Sequence, residues 1–115
     1  MLPRCPQGGI TWALLAALLV LGACSDAAPT TPVERGRRVY LSACTTCHHS
    51  NPTLPGRSGP ALAGSSRELI EARVLRAQYP PGYTPQRNSN AMLAAPHLAP
   101  YIGDLTAFLA DAAAR

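Results

Sequence analysis

The sequence predicts a small all-α domain of about three main helices joined by long loops. Three observations carry that reading. Two stretches, Thr31-Pro32-Val33-Glu34 and Ser65-Ser66-Arg67-Glu68, have the residue order that opens a helix. An apolar stripe at helical spacing lies near the C-terminus, and no segment alternates apolar and polar residues as a half-buried strand would.

Taken in chain order, residues 1–23 are expected to be an export signal. Met1 to Gly9 carries a single Arg, Ile10 to Leu21 is an unbroken run of apolar and small residues with one Thr, and Leu21-Gly22-Ala23-Cys24 follows. The run is shorter than the roughly 20 residues that a membrane-spanning helix needs. A buried N-terminal core helix is the other reading of the same residues. Leu21-Gly22-Ala23-Cys24 resembles the bacterial lipoprotein cleavage box, which implies cleavage before Cys24 and lipidation of that residue. The alternative is a plain export signal cut a few residues later, which leaves a soluble periplasmic protein. Residues 24–30 are small, polar and proline-punctuated, the composition of a tether.

The domain proper is expected over 31–115. Thr31 is placed as the N-cap of the first helix, with Pro32 at its first position and Glu34 completing a capping box. Val33, Gly36, Tyr40 and Ala43 fall on one face. Gly36 inside that helix costs roughly 1 kcal/mol relative to Ala, so it suggests close approach of another backbone. The second helix passes through Leu69, Ile70, Val74 and Ala77 and must stop before Pro80-Pro81. The third runs from about Pro100 to Ala113, with Ile102, Leu105, Phe108, Leu109 and Ala112 as its stripe. Between these helices lie 51–64 and 79–99, rich in Pro, Gly and Asn. Joins of that length in a compact helical domain need something to enclose.

The formal charge of +4 is carried by Arg alone, scattered over the mature chain and not clustered with aromatic residues on one element. That distribution excludes a nucleic-acid footprint. A chain this short, with its one Trp in the apolar run and few other aromatic residues, makes a thin core.

Chemistry concentrates in Cys44-Thr45-Thr46-Cys47-His48-His49. Zinc would use Cys44 and Cys47 as half a site, but no second cysteine pair exists, so His48 or His49 with His97 would have to complete it. A redox dithiol works best with its first thiol at a helix N-terminus, whereas this pair follows a helix. Haem attachment uses the same spacing differently: two thiols bond to one porphyrin and the adjacent imidazole reaches the iron. A large flat apolar cofactor also accounts for the thin core and the long joins. Met92 in the second join is the candidate for the far axial position, with His97 as its rival.

These residues form an ordered set. Gly36 and Tyr40 precede Cys44-Thr45-Thr46-Cys47-His48, and Gly59-Pro60-Ala61-Leu62-Ala63-Gly64, Met92 and Ile102-Gly103-Asp104-Leu105-Thr106-Ala107-Phe108-Leu109 follow. In this the chain resembles the class I cytochrome c family. The resemblance implies one haem c held by thioethers at Cys44 and Cys47, with iron between His48 and Met92. It implies that the Pro60 carbonyl orients His48, and that the first and last helices cross at Gly36 with Tyr40 and Phe108 in contact. His49 stands where the family commonly has Gly, and Leu93 where Pro is usual after the methionine. No Trp remains for the haem propionates, a role for which Arg73, Arg76, Tyr79, Tyr83 and Arg87 are candidates.

The function expected is electron transfer and not enzymatic catalysis. The protein would be a monohaem carrier tethered by lipid to a bacterial membrane, facing the periplasm, with redox proteins as donor and acceptor. The rivals are a cytochrome subunit of a larger periplasmic oxidoreductase, and a haem enzyme or gas-binding module with an open sixth position.

Overall fold

The computed structural model describes Ala28 and residues 31–115. The expected export signal, Cys24 and the rest of the tether lie outside the described residues.

The first helix, α1, spans Pro32–Ala43. Its start follows from a reciprocal cap: the Thr31 hydroxyl accepts the Glu34 amide at 3.2 Å, and the Glu34 carboxylate accepts the Thr31 amide at 3.0 Å. Two of the amides that helix geometry leaves without partners are satisfied in this way. Gly36 and Tyr40 form its buried face, Val33 is half-buried, and Ala43 stays exposed at the end.

The second helix, α2, spans Arg67–Arg76 and begins one residue later than the sequence implies. Ser66, not Ser65, is the N-cap, and its hydroxyl accepts the Leu69 amide at 3.2 Å. The capping box that the order of Ser65 and Glu68 suggests is therefore not made, and Leu69 has no polar group with which to complete one at Ser66. The Ser65 hydroxyl donates instead to the Leu62 carbonyl at 2.7 Å. Glu68, in the first turn, sits where a negative charge favours the helix dipole. The helix ends at Ala77, which adopts the left-handed conformation with φ 54°. The amides of Ala77 and Gln78 fold back onto the Arg73 and Ala72 carbonyls at 3.0 and 3.1 Å.

The third α-helix, α3, spans Ile102–Ala114 and is preceded by a 3₁₀ turn over Pro96–Tyr101. Pro100 therefore lies in this tighter turn and not at the start of the α-helix. Ile102, Leu105, Phe108 and Leu109 are buried along α3.

The helices α1 and α3 cross at Gly36, where an added β-carbon would overlap the Asp104 carbonyl and lie 2.9 Å from Cβ of Phe108. The Tyr40 and Phe108 rings pack beside this point with centroids 5.3 Å apart and planes tilted by 50°. Arg35 grips Asp104 with two bonds of 3.0 and 2.9 Å at the edge of the contact. Ile70 and Val74 of α2 complete one core cluster with these residues. The Gly64 amide donates to the Leu109 carbonyl at 2.8 Å, fastening the end of the first join to α3. The result is a compact all-α domain of three helices, with no strand among the described residues. None of its helices is long and apolar enough to cross a membrane.

Candidate cofactor site

The chain does not straighten after α1. The Cys44 amide donates to the Tyr40 carbonyl at 2.9 Å, and the Cys47 and His48 amides return to the Cys44 carbonyl at 3.3 and 3.0 Å. Cys44, Cys47 and His48 are thus presented from one compact turn. Neither cysteine is in a disulfide.

His48 is 9% exposed and is held from both sides. Its Nδ1 lies 3.0 Å from the Pro60 carbonyl oxygen, which can only accept, so Nδ1 carries a proton, and in the neutral ring Nε2 is the nitrogen with the free lone pair. Gly59 lies against the ring so closely that a β-carbon there would overlap Cε1 and Nδ1. The turn that delivers these residues closes through Gly56 N–H to the Gly59 carbonyl at 2.9 Å. It is pinned by the Ser58 and Gly59 amides on the Cys47 carbonyl at 3.2 and 3.0 Å. Gly56 is needed for the same reason as Gly59, since a β-carbon there would overlap the Cys47 carbonyl and the His48 backbone. Sequence reasoning missed Gly56, although its spacing from Gly59 is the available signal.

These residues border a cavity of about 360 Å³. Cys44, Cys47, His48 and Pro60 lie on its lining, Ile70 and Val74 of α2 give it an apolar wall, and Met92 lines it from the second join. A volume in this range, mostly apolar with a few polar groups, suits a small organic cofactor. Met92 is half-buried and packs against the core cluster. His97, the rival, is exposed in the 3₁₀ turn and is not on the lining.

The segment that carries Met92 is tied down just after it, where the Ala95 amide donates to the Val74 carbonyl of α2 at 2.6 Å. Upstream, residues 84–91 are exposed. The remaining wall contains Arg73, whose guanidinium lies 4.3 Å over the Tyr79 ring and donates to the Ala77 carbonyl at 2.7 Å. Tyr79 in turn stacks on Tyr83, with centroids 5.4 Å apart and planes at 9°. Tyr79, Tyr83 and Arg87 share the lining with Arg73, whereas Arg76 is exposed and off it. The stack itself was not legible in the sequence.

His49 now has a local account. Its Nδ1 accepts the Asn51 amide at 2.9 Å and its carbonyl accepts the Tyr40 hydroxyl at 2.7 Å. The Asn51 side chain then accepts the Thr53 amide at 3.0 Å, so the chain leaves His48 through two successive side-chain-capped turns. The His49 ring is exposed and does not line the cavity.

The chemistry open to the site is limited by the thiols. Burial pushes the Cys44 thiol up to about 11, the opposite of what disulfide exchange requires. Among the described residues no three His, Cys, Asp or Glu side chains converge as a metal site would need, which disfavours zinc. What remains is covalent bonding by the two thiols and coordination through Nε2 of an oriented imidazole. A haem fits this donor set: the imidazole has only Nε2 to offer, the cavity wall is apolar, and a thioether lines the same cavity. No protein-family model matches the chain, and no curated protein or solved structure was found to match it.

Proposed function

We propose that this chain is a monohaem c-type cytochrome with a cytochrome c-like fold, an electron carrier and not an enzyme. The observation that carries the reading is the sharing of one cavity by Cys44, Cys47, His48 and Met92, with Nδ1 of His48 committed to the Pro60 carbonyl. Haem c, when bound, supplies a one-electron Fe(II)/Fe(III) couple.

The residues divide the work. Cys44 and Cys47 would anchor the porphyrin through thioether bonds, and the cofactor would add its own apolar surface to a thin core. The His48 ring is oriented by Pro60 and backed by Gly59, so Nε2 points without freedom to tilt. A bond from Nδ1 to a carbonyl also raises the basicity of Nε2 as a ligand. Met92, on the lining of the same cavity, would hold the group through its thioether, a ligand that raises the potential of such a couple. Held by both His48 and Met92, the group would offer a substrate no open ligand position. That favours a carrier over the open-site enzyme or gas-binding alternative. Lipidation at Cys24, a periplasm-facing location and redox proteins as donor and acceptor complete the proposal.

The deciding experiment is a pyridine haemochrome spectrum with haem staining on a denaturing gel, after co-expression with the c-type maturation machinery. One covalently bound haem per chain is expected, lost when Cys44 and Cys47 are both replaced by Ala. Absence of covalent haem in the unmodified protein overturns the reading.

A further inference from the structure

We infer that Tyr40 is a positioning residue for His48: this one residue holds both ends of Cys44-Thr45-Thr46-Cys47-His48-His49, and so sets where the imidazole stands in the cavity. The inference deepens the carrier reading above, on which the role of His48 as a ligand rests.

The two holds act on opposite ends of the motif. The Tyr40 carbonyl accepts the Cys44 amide at 2.9 Å, where the motif begins, and the Tyr40 hydroxyl donates to the His49 carbonyl at 2.7 Å, where it ends. Between them the His48 amide donates to the Cys44 carbonyl at 3.0 Å. The backbone of His48 is therefore fixed on its N-terminal side through Cys44 and on its C-terminal side through His49. Pro60 and Gly59 act on the ring alone, from the first join. They can aim Nε2 only while the backbone that carries the ring stays in place.

Packing does not ask for the hydroxyl. Tyr40 is 1% exposed, and its ring lies against Phe108 in the core cluster. A phenylalanine would bury the same ring with no polar group to satisfy. A buried hydroxyl is costly unless it is bonded, and once bonded it is directional. This one spends its bond on the residue after His48, and among the described residues no buried side-chain polar atom is left without a partner. The ring itself is held where α1 meets α3, beside the Gly36 crossing. The placement of His48 is thereby tied to the contact of the first and last helices.

The test is Tyr40→Phe in the holoprotein, which keeps the ring and removes only the bond. Haem content by pyridine haemochrome should be unchanged. In the reduced protein, exchange of the His48 Nδ1 proton should rise about 2- to 10-fold, the factor that the net worth of one hydrogen bond allows. In the oxidised protein the low-spin g values, which follow the orientation of the imidazole plane, should shift. Ile102→Val trims a buried residue of α3, and should lower stability without moving either signal. Equal effects from Ile102→Val, or unchanged exchange and g values in Tyr40→Phe, would overturn the positioning role. Absence of covalent haem in the parent overturns the carrier reading instead. In that case Nδ1 exchange and the ¹⁵N shifts of the His48 ring, compared between the haem-free parent and Tyr40→Phe, decide the positioning role by the same criterion.

Discussion

A methyl group on Gly36 would overlap the backbone carbonyl of Asp104, so the first and last helices meet main chain to main chain at this point. The cost of a helical glycine is offset by this contact and by the Tyr40 and Phe108 rings that close around it. Gly36→Ala is expected to destabilise the domain by about 1–3 kcal/mol, because overpacking outweighs the helix-propensity gain of up to ~1 kcal/mol. Urea unfolding monitored by far-UV circular dichroism measures it, and an unchanged midpoint would contradict the close approach. Asp104→Asn removes the charge from a partly exposed pair with Arg35 and should cost at most about 1 kcal/mol.

Ala77 holds a left-handed conformation at the end of α2, where only glycine is free of steric cost. Ala77→Gly should therefore stabilise the protein by about 0.5–1 kcal/mol. The same chemical denaturation reads this, and a loss of stability would show that the Ala77 methyl group matters more than its backbone strain.

Gly59→Ala should displace the His48 ring and break its bond to Pro60, with a stability loss of about 1–3 kcal/mol. In the haem-loaded protein it should also degrade the low-spin absorption spectrum. Gly103→Ala is the comparison, since its nearest neighbour is the flexible end of Arg67 at 3.5 Å. That variant should match or exceed the parent in stability and leave the spectrum intact.

Met92→Ala is expected to keep covalent haem, lose the weak near-infrared band of ferric methionine ligation, and bind CO when reduced. His97→Ala should do none of this, because His97 is exposed and off the cavity lining. CO binding by the unmodified reduced protein at neutral pH would rule out Met92 as a ligand.

Alkaline stability should carry the mark of Tyr40. Burial pushes its hydroxyl from 10.0 up to about 12. Below about pH 10 the hydroxyl is protonated in both folded and unfolded chains, and its contribution is complete. As pH rises toward about 12 the unfolded chain ionises first, so stability falls across that window. Tyr40→Phe loses the bond to His49 but should show a flatter decline between those pH values in a denaturation series.

The sequence disclosed the helices through their caps and stripes, because a cap is a local event. Thr31, Pro32 and Glu34 sit within one turn and need no tertiary information. The same logic missed by one residue at Ser65, since either serine could cap and the choice fell to Ser66 once Ser65 bonded the Leu62 carbonyl. Pro100 resembled a helix start, yet the 3₁₀ turn begins at Pro96. For the site, the cysteines and His48 declared themselves by spacing, and Pro60 only through family resemblance. The roles of Gly56 and His49 depend on how the chain doubles back over Cys47 and His48. The stacking of Arg73 on Tyr79 spans the end of α2, where no periodicity reports it.

The bond from Ala95 to the Val74 carbonyl separates the second join into two parts with different tolerance for change. Between Met92 and that bond, an inserted residue would displace the thioether. Before Met92, the exposed backbone at Thr84-Pro85 is free to lengthen, and doubling a loop costs only about 0.6 kcal/mol in closure entropy. An epitope or reporter peptide belongs there, where it would leave the methionine in register with His48.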